Sequence, residues 1–249
     1  MAEQNISIEL ADVKKYISGN RALDGISAEF LPGRLNGLIG TDGAGKTTLL
    51  RVLIGLLAPD GGKVIFRRDG EIVEFEKIRD RIAYLPQQQS LYPDLSCAEH
   101  MDFFRDIYRI PKNIYSAKRD ELFRIMRLDK FKDRKAGELS GGMYKKLGVM
   151  CVLLQSPEVL LLDEPTNGID PISRRELWDL FYRLAAEKIL VLISTSYMDE
   201  AERCSDVFVL ESGRCIDSGE PRAILRREQA ARFEDIFISR AARAENTAG

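Results

Sequence analysis

One stretch constrains this chain more than any other: Gly40-Thr41-Asp42-Gly43-Ala44-Gly45-Lys46-Thr47, which fits G-x-x-x-x-G-K-[ST]. Before it, Leu35-Asn36-Gly37-Leu38-Ile39 reads as a short buried strand. After it, Thr48–Ile54 carries apolar residues at helical spacing. In a strand–turn–helix unit of this kind the glycines let the backbone wrap closely, so successive N–H groups point inward at an anion. The helix N-terminus adds positive potential. A glycine-rich turn with an unrelated lysine is the plainer alternative, and the flanking strand and helix argue against it. The pattern therefore assigns nucleotide phosphates to Gly40, Asp42, Gly43, Gly45, Lys46, Thr47 and Thr48. Lys46 reaches the β- and γ-phosphates, and the Thr47 hydroxyl is placed for Mg²⁺.

The rest of the chain supplies an α/β frame for that loop. Ile6, Ile8 and Leu10 alternate with polar residues, as do Ile26, Ala28 and Phe30, so two half-buried strands precede the loop. Tyr16 falls at the end of the first. Lys63–Phe66 and Glu71–Phe75 flank Arg67-Arg68-Asp69-Gly70 and read as a hairpin, with the two arginines as solvated loop charges. Arg81–Leu85 is a further strand, ended by Pro86-Gln87-Gln88-Gln89. From Ser96 to Arg134 the strand signal fades and helical periodicity takes over, with Pro111 between two helical pieces. Apolar runs return at Val159–Asp163, Ile189–Ile193 and Asp206–Leu210, as parallel strands covered on both faces, with Ser173–Ala186 as a helical crossover. The expected organisation is an α/β core formed by residues 1–95 and 155–220, with a mostly parallel sheet and an antiparallel β subdomain. A helical subdomain is inserted at 96–154, and 221–249 form a C-terminal helix and tail. The small polar residues Ala241–Gly249 are expected to fray or to act as a linker.

Charge and composition remove several classes of function. The net charge of −2 gives no electrostatic case for nucleic acid as a partner. Cys97, Cys151, Cys204 and Cys215 lack metal-like spacing and read as buried or incidental thiols of a reducing compartment. Met1–Asn5 do not resemble a secretory signal, and no apolar run approaches the length that spans a bilayer.

A phosphate-binding loop alone leaves kinases, GTPases and motors open. No Asn-Lys-x-Asp follows it to read guanine, which disfavours a GTPase. The narrowing feature is Leu139-Ser140-Gly141-Gly142-Met143, followed by Val159-Leu160-Leu161-Leu162-Asp163-Glu164-Pro165-Thr166-Asn167-Gly168-Ile169-Asp170. In an apolar strand ending in Asp163-Glu164, one carboxylate serves Mg²⁺ and its neighbour polarises an attacking water. An acidic pair at a helix start is the bland alternative, and the upstream loop disfavours it.

With these motifs in this order, from about Ile6 to Ser218, the sequence resembles the ATP-binding subunit of ATP-binding-cassette (ABC) transporters. The resemblance implies a P-loop NTPase core of ABC type, with ATP and Mg²⁺ as cofactors. It puts Tyr16 where the family has an aromatic stacked on adenine. Gln87 matches the Q-loop glutamine that senses Mg²⁺ and the attacking water. Ser140, Gly141 and Gly142 match the signature that closes over ATP held by the opposing subunit. Asp163 matches the metal-side aspartate, Glu164 the catalytic base and Asp170 the D-loop aspartate. Thr47, Gln87 and Asp163 are thereby implied around the metal. Leu91–Ser96 falls where relatives receive the membrane subunit's coupling helix. Ser140 before glycines is, by itself, also an ordinary helix cap. Met143 and the Pro165–Asp170 run look most like the exporter branch with separate ABC-2-type permease subunits. The resemblance thus implies a cassette at the cytoplasmic face of the membrane.

The pattern breaks after the strand Ile189–Ile193, in Ser194-Thr195-Ser196-Tyr197-Met198. Relatives place a histidine, the H-loop residue, at the position of Ser196, where it contacts the γ-phosphate. Serine has a short hydroxyl and no cationic donor, and losing one preorganised donor can cost about 10²–10³ in rate. The chain's one histidine, His100, reads as a helix-surface residue instead. Some tandem ABC exporter ATPases resemble this chain in carrying serine in the H-loop of their first cassette. The leading expectation is an ATP-hydrolysing exporter subunit working as a homodimer or with a second cassette, with Glu164, Gln87 and Ser196 at the chemistry. The alternatives are a nucleotide-gated regulatory cassette that scarcely hydrolyses ATP, and a soluble ABC protein acting on ribosomes or DNA. The charge and Asn167-Gly168 oppose the last of these.

Overall fold

The parallel strands that carry the phosphate loop and the acidic pair belong to one sheet, and an antiparallel sheet covers one of its faces. The computed structural model describes residues 5–247, with side chains as far as Arg240. The chain opens with β1 (Ile6–Ile17) and β2 (Asn20–Phe30), then β3 (Leu35–Ile39) feeds the loop and α1 (Lys46–Leu53) leaves it. Next come β4 (Gly61–Arg68), β5 (Glu71–Val73), a single turn of helix α2 (Phe75–Ile78), and β6 (Ile82–Leu85). Three helices follow: α3 (Cys97–Ile107), α4 (Lys112–Ile125) and α5 (Gly141–Leu153). The second half runs β7 (Val159–Asp163), α6 (Pro171–Ala186), β8 (Leu190–Thr195), β9 (Asp206–Glu211) and β10 (Arg214–Gly219). It closes with α7 (Pro221–Glu228) and α8 (Phe233–Thr247).

The larger sheet has the order β10-β9-β3-β8-β7-β6, parallel except for β10 at its edge; the smaller is antiparallel, β2-β1-β4-β5. Every residue of β3, β7 and β8 is buried, as strands covered on both faces must be. Side-chain alternation divides their apolar residues between two cores. Val159, Leu161, Leu190 and Leu192 pack with β1, β2 and α1 under the antiparallel sheet. Leu160, Leu162, Val191 and Ile193 face α5 and α6, joining Met150, Trp178 and Phe181. The sheet order matters for function because β8 lies between β3 and β7. The carboxyl ends of these three strands, where open α/β sheets bind ligands, therefore face one crevice.

Local chemistry accounts for several differences from the sequence-based expectations. The turn of the β4–β5 hairpin is only Asp69-Gly70, both at positive φ, the signature of a two-residue turn. Strand β4 therefore runs on through Arg67 and Arg68, which are not loop charges. Arg67 pairs with Glu9 on the neighbouring strand at 2.9 Å, and Arg68 with Glu158 at 2.9 Å. Helix α4 begins at Lys112, directly after Pro111.

His100 is not on a helix surface but fully buried. A capping box starts α3: Ser96 Oγ accepts from the Glu99 N–H while Glu99 Oε2 accepts from the Ser96 N–H. That places His100 one turn in, facing the preceding loop. Its Nε2 accepts from the Tyr92 N–H at 3.0 Å, which makes Nδ1 the protonated nitrogen, 2.9 Å from the Ser96 carbonyl. Cys97, Cys151 and Cys204 are buried free thiols whose burial raises their pKa values, and Cys215 is half-buried. The single expected C-terminal helix is two, α7 and α8. The last two residues of the expected tail, Ala248 and Gly249, lie outside the described residues.

Candidate functional site

The loop between β3 and α1 lines a cavity of about 360 Å³ with Asp42, Gly43, Ala44, Gly45, Lys46, Thr47 and Thr48, closed by Ala22, Gln87 and Glu164. Gly45 sits at φ +107°, and a Cβ there would meet the Ala22 carbonyl oxygen at 2.6 Å, so only glycine fits this close pass of loop and strand β2. Gly40 does not line the cavity, but its carbonyl accepts from Lys46 Nζ at 2.8 Å. The Thr41 carbonyl accepts from the same group at 3.1 Å. The lysine side chain is folded back over its own loop and is 5% exposed.

Glu164 follows the last residue of β7 and takes a left-handed conformation, φ +46°. For a residue with a Cβ this costs on the order of 1–2 kcal/mol. It is held there because its N–H bonds to both the carbonyl and the hydroxyl of Ser194, each at 3.1 Å. The turn aims the carboxylate into the cavity. There Oε2 accepts from Gln87 Nε2 at 2.9 Å and from Asn167 Nδ2 at 3.0 Å, while Oε1 lies 3.4 Å from Lys46 Nζ. Lys46, Gln87 and Glu164 are thus brought together from three separate segments of the chain.

Asp163 is buried one residue earlier. Ser194 Oγ donates to its Oδ1 at 2.6 Å, and Tyr84 Oη to its Oδ2 at 3.2 Å. Burial, followed by the neighbouring Asp163 charge, pushes the Tyr84 hydroxyl up to about 12, so it remains a donor. The oxygens of Asp163, Thr47 and Gln87 are hard donors of the kind Mg²⁺ takes. Mg²⁺ keeps several waters and substrate phosphate oxygens, so it needs no dedicated protein cage. No cluster of three or more His, Cys, Asp or Glu side chains fit to hold a metal occurs among the described residues.

The remaining predicted residues lie apart from this cavity. Tyr16 is 43% exposed, with its N–H on Asp60 Oδ2 at 2.7 Å, and it is not among the lining residues. Ser140 caps α5, its Oγ accepting from the Met143 N–H at 3.3 Å. Gly142 packs so closely on the start of α6 that a Cβ would collide with the Ser173 hydroxyl and come within 2.8 Å of Asp170 Oδ2. Asp170 itself caps α6, accepting from the Ser173 N–H at 2.9 Å. Ser196 follows β8 directly, in the strand position between the loop and Asp163, and its side chain makes no hydrogen bond among the described residues.

Residues not singled out in the sequence also shape the site. Ser194 ties both carboxylate residues to β8; its signal was a run of small polar residues ending an apolar strand. Lys145 Nζ donates to the Gln87 carbonyl at 2.7 Å, and Tyr144 Oη to the Gln89 carbonyl at 2.9 Å, so helix α5 holds the segment after β6. Nothing in the local sequence announces those two contacts.

Loop, acidic pair and sheet order together define a P-loop nucleotide-binding cassette. The chain belongs to the ABC transporter family, whose model matches residues 23–167. It is 43% identical over 198 residues to the probable multidrug ABC transporter ATP-binding protein YbhF of Escherichia coli K12, covering 77% of this chain and 33% of that protein. It is 35% identical over 231 residues to the Nod factor export ATP-binding protein I of Burkholderia pseudomallei, covering 92% of this chain and 76% of that one. Thus it spans about a third of the length of the first curated relatives it matches. Among solved structures, an ATP-binding subunit of an ABC transporter superposes with a TM-score of 0.81 at 26% identity, over 93% of this chain and 98% of that one. cbiO1 from Clostridium perfringens, part of the cbiONQ complex, gives 0.79 at 27% identity, over 89% and 91%.

Proposed function

We propose that this chain is a cassette that binds and hydrolyses ATP to energise a membrane exporter. The observation that carries the reading is the convergence of Lys46, Gln87 and Glu164 on one cavity, with Asp163 buried beside it. In this arrangement the loop N–H groups and Lys46 bind the phosphates, and Glu164 takes the proton of the attacking water. Gln87 orients that carboxylate. Mg²⁺, held by Thr47, Asp163 and Gln87, would neutralise charge on the β- and γ-phosphate oxygens.

The cavity is lined by one face of the chain only, and the signature residues are not among its lining. Ser140, Gly141 and Gly142 sit at a helix N-terminus, away from the chain's own cavity, which suits closure over the ATP of a second cassette in a head-to-tail pair. Asp170, packed against Gly142, would lie at the same seam, and Tyr16 beside the adenine. The partner is a second copy or a different cassette. The names of the relatives support export, and no helix among the described residues is long and apolar enough to cross a membrane. On the likeness to these exporters we assign membrane passage to ABC-2-type permease subunits, with this chain at their cytoplasmic face.

Ser196 favours a second reading, in which the cassette binds ATP and dimerises but turns over slowly beside an active partner. Mg²⁺-dependent ATP hydrolysis and ATP-driven dimerisation of the purified chain, measured beside Glu164→Gln, separate the two. Turnover abolished by the substitution supports the motor. Dimerisation with scarcely any turnover in the wild type supports the regulatory cassette. Neither binding nor dimerisation would refute both.

A further inference from the structure

Ser196 is followed by a residue that does reach the catalytic carboxylate, through one amide. Tyr197 Oη donates to Asn167 Oδ1 at 3.1 Å, and Asn167 Nδ2 donates to Glu164 Oε2 at 3.0 Å. The polarity of this chain is fixed at one end. An ionised carboxylate only accepts, so the NH₂ of Asn167 must face it, the amide oxygen must face the tyrosine, and the hydroxyl must donate.

The tyrosine is itself anchored. Its N–H bonds to Thr195 Oγ1 at 3.0 Å, and its ring lies 5.0 Å from the Arg174 guanidinium. Arg174 is in turn held by both oxygens of Asp199 at 3.0 and 2.8 Å and by Glu200 at 2.8 Å. Helix α6 and the segment after β8 thus fix where the hydroxyl stands. At the far end of the chain, Glu164 Oε2 takes Asn167 on one side and Gln87 on the other, at 2.9 Å. This sets the rotation of the carboxylate and leaves Oε1 toward Lys46 Nζ, 3.4 Å away.

We infer that Tyr197 is a positioning residue for ATP hydrolysis, acting through Asn167 on the Glu164 carboxylate, and that this chain of two hydrogen bonds supplies orientation at a site where Ser196 has no reach. The inference rests on the reading of Glu164 as general base. A base works only from the right place: without the tyrosine, Asn167 is free to turn its amide away and the carboxylate gains rotational freedom.

The test is steady-state Mg²⁺-ATP hydrolysis by the wild type, Tyr197→Phe, Asn167→Ala and the double variant, with the melting temperature of each. Phenylalanine keeps the ring beneath Arg174 and removes only the hydroxyl. Tyr197→Phe is expected to lower kcat by about 5- to 10-fold, the worth of one hydrogen bond, with KM for ATP and the melting temperature unchanged. The double variant should be no slower than Asn167→Ala, because both act through one path. An unchanged kcat in Tyr197→Phe, or losses that multiply in the double variant, overturns the inference while leaving the hydrolytic reading intact. Should the wild type be silent, the series is run in Ser196→His; silence there too overturns the reading of Glu164 as base, and this inference with it.

Discussion

Lys46 Nζ lies 3.4 Å from Glu164 Oε1, and the two side chains are 5% and 6% exposed. In the proposed reading, the cation that takes phosphate and the carboxylate that takes water here neutralise each other, with the Gly40 and Thr41 carbonyls completing the ammonium's partners. On that reading, phosphate entering the cavity would compete with Glu164 for Lys46. Glu164→Gln removes the competing charge and keeps the shape and both amide contacts. It should bind ATP at least as tightly as the wild type, while turnover falls by about 10²–10⁴-fold. Equilibrium ATP binding beside single-turnover hydrolysis checks both; wild-type turnover would remove Glu164 from the role of base.

Ser196→His offers the second comparison. The position follows β8, between the strand of the phosphate loop and that of Asp163, and among the described residues the Ser196 side chain makes no hydrogen bond there. A longer donor at this point is expected to raise kcat by up to about 10²-fold with little change in ATP affinity. If the rate stays flat, the site does not lack a donor at that position, and the burden shifts to Tyr197 and Asn167.

The phosphate loop and the acidic strand were legible because each motif couples a local conformation to its chemistry. Gly45 must be glycine against the Ala22 carbonyl, and the apolar run Val159–Leu162 suits a strand covered on both faces, as it proves to be. The sheet order was not legible from residue patterns alone. Parallel strands carry no sign of their neighbours, and it is the position of β8 that brings Ser194 against both Asp163 and Glu164. His100 was misjudged for a similar reason. Its burial depends on a loop folding back so that the Tyr92 N–H meets the ring, a contact invisible in the helical spacing of α3. Arg67 and Arg68 belong to strand β4 rather than to a loop because a two-residue turn, Asp69-Gly70, suffices, and its length is not marked in the sequence.

Glu200 ties the segment after β8 to the loop after β7 from a fully buried position. Its Oε1 accepts from Thr166 Oγ1, Arg174 Nε and Trp178 Nε1, at 2.8, 2.8 and 3.1 Å. Glu200→Ala would leave a buried hydroxyl and an indole N–H without their acceptor and one side of Arg174 unpaired, although Asp199 still holds that guanidinium. The expected loss is about 3 kcal/mol, the low end for breaking a buried pair, read from urea unfolding. A loss under about 1 kcal/mol would mean that water replaces the carboxylate.

His100→Phe tests the loop that the sequence assigned to a membrane partner. The substitution keeps an aromatic ring but removes the acceptor for the Tyr92 N–H and the donor to the Ser96 carbonyl. An expected loss of about 1–3 kcal/mol follows from leaving the Tyr92 N–H without its acceptor, while the Ser96 carbonyl keeps the backbone N–H of residue 100. Amide exchange at Tyr92 should accelerate well beyond that of the core strands, which report only the global loss. Equal acceleration everywhere would show that His100 supports the fold rather than this loop.

Asp170 sets a pH dependence whose sign is fixed by its cap. The N–H of Ser173, donated to Oδ1 at 2.9 Å, holds the carboxyl below its ordinary 3.8. A depressed acid stabilises the fold fully above its unfolded pKa and loses that contribution as pH falls through the lower folded value. Asp170→Asn keeps a capping oxygen but has no titration. Wild type should therefore exceed Asp170→Asn in stability well above pH 3.8, and the margin should narrow as pH falls below it. Urea midpoints on both sides of that value give the comparison; a margin independent of pH would show that the charge adds nothing to the cap. Because Asp170 also packs on Gly142, ATP-driven dimerisation of the same variant separates the two roles: a dimer lost at neutral pH, where the fold is intact, places the charge at the seam between cassettes.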